Sequence, residues 1–226
     1  MKKKYYCTFD TETVGGASKP LGFYHLGGII HERDGKIIGC FNYLIAEWLP
    51  NVCTDKYAKK SLHRYLEMLK TGEATLITTE DEAISAVDNL LKHYNVLTLC
   101  AFNSGFDLCK TKCKALLENR EFIDLWHSAC ETIAQKKSYY DFCITNNLVS
   151  RSGSTISTNA ESFYAYLTNN PNYKEEHTAL EDSKIELTIF VACMKTHKKF
   201  TPNIHHHDAE NWRSYHKRIK KGTVHS

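Results

Sequence analysis

Apolar and polar positions alternate with a period of two at the start of the chain. Over residues 4–10, Tyr5, Cys7 and Phe9 fall on one face, while Tyr6, Thr8 and Asp10 fall on the other, followed by Glu12. This predicts a β-strand. Residues 22–31 predict a second strand, Arg33-Asp34-Gly35-Lys36 a turn of the Asp-Gly type, and residues 36–45 a third strand. These three would form an antiparallel meander.

The period then becomes helical. Tyr57, Ala58, Leu62, Tyr65, Leu66 and Leu69 predict one helix over 54–70, stopped by Gly72. Thr79-Glu80-Asp81-Glu82 reads as a capping box ahead of a stripe of Ile84, Val87, Leu91 and Tyr94. Residues 96–102 form a continuous apolar run of strand length, suited to a buried parallel strand. A helix over 106–117 would bury Leu108, Cys109, Cys113, Leu116 and Leu117. Residues 123–126 predict a short strand leading into more helix, 150–158 a loop, 159–168 a short helix, and 180–195 a long apolar helix. The order of elements predicts an α/β domain with a mixed sheet: a three-stranded antiparallel meander plus parallel strands, flanked by helices.

Composition narrows the picture. A chain of 226 residues, 42% hydrophobic, can bury a sizeable core. No apolar run approaches the roughly 20 residues that span a bilayer, and no apolar stretch follows the basic start Met1-Lys2-Lys3-Lys4. A cytoplasmic protein is expected. The nine cysteines are irregularly spaced and contain no C-x-x-C, so they read as core thiols in a reducing compartment. From Lys195 onward eight Lys/Arg oppose Asp208 and Glu210, a net +6, against net −3 for the remainder. Residues 1–200 therefore read as the domain, and 201–226 as a basic extension suited to a polyanionic partner. His205-His206-His207 would suggest a metal only by composition; a solvated polar tail is the plainer reading.

Three segments carry chemistry. Asp10 and Glu12, two apart on a strand, share a face and repel unless a cation lies between them. A bare D-x-E carries little weight, since Asp208-Ala209-Glu210 is another; the apolar strand before Asp10 and the small Gly15 and Gly16 after it distinguish the first. Asp107 follows an apolar strand, at a position where open α/β sheets commonly bind ligands. Taken alone, it reads first as a helix-start residue favoured by the dipole. His177 and Asp182, five apart, would not share a helix face, which places His177 in the preceding loop. Jointly these residues offer hard oxygen ligands and a base suited to neutral pH.

Phe9-Asp10-Thr11-Glu12-Thr13, Asn103-Ser104-Gly105-Phe106-Asp107 and His177-Thr178-Ala179-Leu180-Glu181-Asp182 together resemble the F-D-x-E-T, N-x-x-F-D and H-x-A-L-x-D motifs of the DEDDh 3′–5′ exonuclease superfamily, across about residues 4–195. That family includes proofreading subunits, RNase T and oligoribonuclease. The resemblance implies a ribonuclease H-like fold and hydrolysis of single-stranded nucleic acid from a free 3′ end. Two divalent metal ions, Mg²⁺ or Mn²⁺, would lie on Asp10, Glu12, Asp107 and Asp182, with His177 as general base. Thr11, Thr13, Asn103 and Phe106 would hold the terminal nucleotide. DNA is the favoured substrate, with RNA or short oligonucleotides as the alternative. An inactive nucleic-acid-binding module is a reading of another class, disfavoured because all five catalytic positions are filled. Val14 and Phe102 depart from the commonest pattern without removing a ligand.

Overall fold

The computed structural model describes residues 4–16, 19–196, 199–210 and 217–219. Met1, Lys2, Lys3 and Lys198, and Arg213, Lys220 and Lys221 of the basic extension, lie outside the described residues. Six strands form one sheet: β1 (Tyr6–Gly16), β2 (Lys19–His31), β3 (Ile37–Ile45), β4 (Thr75–Ile77), β5 (Thr98–Ala101) and β6 (Glu121–Asp124). Their order is β4-β3-β2-β1-β5-β6. β1, β2 and β3 are the antiparallel meander; β5 runs parallel to β1, β6 to β5, and β4 to β3. The helices are α1 (Leu49–Thr54), α2 (Leu62–Thr71), α3 (Glu80–His93), α4 (Ser104–Asp107), α5 (Leu125–Thr132), α6 (Lys137–Thr145), α7 (Ala160–Leu167) and α8 (Ala179–Met194).

The alternation along β1 decides what lies on each side of the sheet. Cys7 and Phe9 join Phe23, Leu26 and Ile30 against Ala83, Val87 and Leu91 of α3. Tyr6, on the opposite face, packs with Ile29, Cys100, Leu187, Phe190 and Met194, the last three from α8. The same parity directs Asp10 and Glu12 to the α8 side. A one-residue slip would exchange the faces and turn Asp10 and Glu12 into the apolar α3 side, where an unpaired charge is costly.

Several elements differ from the sequence expectation, each for a local reason. β1 continues past Asp10 because Thr13 and Val14 still pair with Phe23 and Gly22, after a register shift following Glu12. Val14 is buried with Tyr24 and Leu44. The helix expected over 54–70 is interrupted at Asp55. Its Oδ1 accepts from Tyr57 N (2.8 Å) and Ala58 N (3.0 Å), and its Oδ2 from Gly15 N (3.2 Å). A short carboxylate that captures nearby N–H groups competes with helix propagation. α2 does end at Gly72, whose φ of 76° is the left-handed cap expected of glycine. The helix expected over 106–117 divides similarly: α4 ends at Asp107, and Thr111 Oγ1 accepts from Cys113 N (3.1 Å) to start a 3₁₀ turn, Lys112–Leu117. β4 was unforeseen, as three residues show no period.

Residues 199–210 pack on the body. Asn203 N donates to Phe122 O (2.9 Å) and Asn203 Oδ1 accepts from Phe122 N (3.0 Å), which covers the edge of β6. His205 stacks on Phe122 at 4.3 Å and His206 on Trp126 at 3.8 Å. All nine cysteines are free, and Cys7, Cys100, Cys113, Cys130, Cys143 and Cys193 are buried. Among the described residues no helix is long and apolar enough to cross a membrane.

Candidate active site

Asp10 and Gly27 are opposite each other in the β1–β2 register. Gly27 lets the start of α8 lie against the sheet: a Cβ there would fall 2.3 Å from Leu180 N and 2.5 Å from the Ala179 carbonyl carbon. Ser183 Oγ donates to Gly27 O (3.0 Å), and His25 Nδ1 accepts from Ala179 N (3.2 Å). His25 Nε2 meanwhile donates to Asn42 Oδ1 (2.6 Å), which fixes a neutral tautomer; burial pushes this imidazole down to about 4. These contacts bring Asp182, four residues into α8, over β1 beside Asp10. Gly27→Ala is expected to displace the start of α8. Stability should fall by about 1–3 kcal/mol, and affinity for divalent metal should fall with it, measured by chemical denaturation and Mn²⁺ titration.

Asp107 arrives from the other side of β1. Asn103, at φ 62°, turns the chain from β5 into α4. Asp124, at the end of β6, holds that turn: its Oδ2 accepts from Ser104 N (3.1 Å), Ser104 Oγ (2.7 Å) and His206 N (3.1 Å), and its Oδ1 from His127 N (3.0 Å). Asp107 is only 2% exposed. Its Oδ1 accepts from Thr11 N (3.2 Å) and Thr11 Oγ1 (2.5 Å). Both Thr11 donors are therefore directed at Asp107, and Thr11 acts as a strut between β1 and α4. Thr13, Asn103 and Phe106 are half-buried; Asn103 lines the same cavity as Asp10.

His177 sits in the loop before α8, at φ 54° with its side chain 69% exposed and Nδ1 4.0 Å from Glu175 Oε2. One ligand atom each from His177, Glu12 and Asp182 lie within 4.8 Å of one another. The His177 carbonyl accepts from Tyr65 OH (3.1 Å), which is paired in turn with Tyr24 OH (3.0 Å). Tyr65 reads in the sequence as one more core residue of a helical stripe, and nothing in its spacing marks it as the residue that anchors this loop. Glu186 also escapes sequence reading, yet it lines a cavity of about 500 Å³ together with Asp10, Asp182, Phe102 and Trp126.

Burial and mutual repulsion govern the electrostatics of this cluster. Burial, then Asp107, Asp182, Glu186 and Glu12, raise the Asp10 carboxyl well above its ordinary range. Burial and the charges of Asp107 and Glu175 push Glu12 up to about 7. Burial pushes Asp107 up to about 7 against its Thr11 hydrogen bonds. Burial and Glu12 push Asp182 up to about 8. Asp182 Oδ1 is buried with no hydrogen-bond partner among the described residues. Clustered oxygen donors that resist ionisation alone fit a hard divalent ion.

In the metal-free protein these carboxyls hold protons that the unfolded chain loses near pH 4, so their contribution to stability is lost as pH rises towards 7–8. A metal must displace those protons. Mn²⁺ affinity is expected to be about tenfold or more tighter at pH 8 than at pH 6, with protons released at pH 7. Calorimetry in buffers of different ionisation enthalpy measures both; equal affinity at the two pH values would contradict it.

No protein-family model and no curated protein matches the chain by sequence. Among solved structures, the zinc-bound complex of E. coli ExoI with single-stranded DNA superposes on 87% of this chain with a TM-score of 0.52 at 15% identity. The fold is ribonuclease H-like. The chain spans 41% of the length of that protein. At this identity the likeness belongs to the backbone: a mixed sheet with helices on both faces.

Proposed function

We propose that the chain is a metal-dependent 3′–5′ exonuclease that hydrolyses phosphodiester bonds at the 3′ end of single-stranded nucleic acid, DNA in preference to RNA, releasing nucleoside 5′-monophosphates. The observation that carries this reading is the proximity of Glu12, Asp182 and His177, whose ligand atoms lie within 4.8 Å although they come from opposite ends of the chain. The ribonuclease H-like fold shared with ExoI, a protein seen with single-stranded DNA and zinc, supports it.

In this reading Asp10, Glu12, Asp107 and Asp182 hold the cations. When bound, two divalent ions such as Mg²⁺ stabilise charge developing on the phosphate and on the attacking and leaving oxygens. His177 takes the proton of the attacking water on its imidazole. The Glu175 carboxylate, 4.0 Å from Nδ1, then lies beside the imidazolium so formed. Exposure of the ring leaves it open to water and substrate. Thr11 keeps Asp107 in place through its two hydrogen bonds. Thr13 and Asn103 border the terminal nucleotide, and the half-exposed Phe106 offers it an apolar ring face.

Single-stranded DNA and RNA oligomers labelled at the 5′ end test this. With Mg²⁺, a ladder shortening from the 3′ end is expected, stopped by EDTA and faster on DNA. Internal cuts, shortening from the 5′ end, or intact substrate would contradict the reading. Faster loss of RNA would transfer the preference to RNA and leave the chemistry unchanged.

A further inference from the structure

Glu186 lies four residues beyond Asp182 on α8, hence on the same helix face. It is 3% exposed. Its Oε1 accepts from Phe102 N at 3.0 Å, and its buried Oε2 has no hydrogen-bond partner among the described residues. Asp10, Asp182 and Glu186 line one cavity. The charges that act most strongly on Glu186 are those of Asp107, Asp182 and Glu175, all anions, and Glu186 in turn acts on Asp10. A neutral glutamine would cap Phe102 N equally well without an added charge beside four carboxylates. A buried carboxylate with an unused oxygen, set among other carboxylates, is costly unless a cation shares its space.

We propose that Glu186 is a fifth carboxylate of the cation site, with Oε2 available to a bound metal ion or to its water in the cavity that Asp10 and Asp182 also line. The inference rests on the metal-dependent reading above and goes beyond its four ligands. It gives the site one more negative charge, and so a tighter hold on divalent cations than four carboxylates alone provide. Glu186 thereby acts as a positioning residue for the proposed hydrolysis, joining the cation site to the start of the β5–α4 turn through Phe102 N.

Titration of Mn²⁺ into the full chain without nucleic acid, followed by calorimetry and by the Mn²⁺ electron paramagnetic resonance signal, provides the test. Glu186→Gln preserves the acceptor for Phe102 N and removes the charge. It is expected to weaken Mn²⁺ binding by about tenfold and to raise the melting temperature of the metal-free protein. Glu186→Met, volume-matched and apolar, is expected to weaken Mn²⁺ binding to the same degree and serves if the amide variant does not fold. Wild-type Mn²⁺ affinity in either folded variant would overturn the proposal and reduce Glu186 to a cap for Phe102 N, with the four-carboxylate reading intact. Absence of Mn²⁺ binding by the wild-type chain would overturn both.

Discussion

Asp182→Asn should abolish nuclease activity and yet stabilise the metal-free protein. The Asp182 carboxyl is pushed up to about 8, first by burial and then by Glu12, Glu175, Glu181 and Glu176. Above that pH its charge is opposed most strongly by these anions, and an amide of the same shape relieves the repulsion. Loss of the cation ligand proposed here should lower the rate by about 10³-fold, in the range of removing a main electrostatic contact in a transition state. In EDTA at pH 8.5 the variant should melt about 2–4 °C higher, the shift that roughly 1 kcal/mol gives in a chain of this size. Saturating Mg²⁺ should reverse the order: metal at a hundred times its Kd adds about 2.7 kcal/mol to the wild type, and the variant forfeits most of it. Thermal melts with and without metal read both signs. A variant that melts lower in EDTA would assign Asp182 a structural role.

His177→Asn should lower turnover by about 10²–10⁴-fold, the usual share of a general base, while leaving Mn²⁺ affinity within a few-fold of wild type. Asparagine is the informative replacement because of the backbone. Non-glycine residues with positive φ among the described residues are Asn95, Asn103, Asn119, Asn147, Asn169 and Asn203, with His177 the exception. Asn tolerates the left-handed region best, its short polar side chain bonding locally. The substitution therefore keeps the loop in place, still held by Tyr65 at the carbonyl, and removes only the imidazole. Turnover at the wild-type rate would mean that another group takes the proton. A large loss of Mn²⁺ affinity would make His177 a metal ligand instead.

The meander was legible because alternation with a period of two reports a half-buried strand directly: the Tyr5-Cys7-Phe9 face and the Tyr6-Thr8 face separate in space as they do in sequence. α3 was legible from its cap and apolar stripe, and α8 from its apolar residues alone. The helix breaks were not, because they depend on which N–H groups the side chains of Asp55 and Thr111 capture, and periodicity carries no record of that competition. β4 exists only through its pairing with β3. At the candidate site, the motif residues could be picked out one by one, but their supports could not. Tyr65 reads as core, Asp124 as an unremarkable strand end and Glu186 as a polar residue on an apolar helix. Residues 201–226 read as a basic extension, with His205-His206-His207 in a solvated polar tail, yet 201–210 pack on the body. The stacking of His205 and His206 on Phe122 and Trp126 depends on where β6 ends, which no local pattern states.

Diffraction at the manganese edge from crystals of the full chain grown with Mn²⁺ tests the central claim most directly. Anomalous density is expected among Asp10, Glu12, Asp107 and Asp182, with Glu186 on its border. Density elsewhere on the molecule, with that cluster lacking any peak at saturating Mn²⁺, would contradict the account.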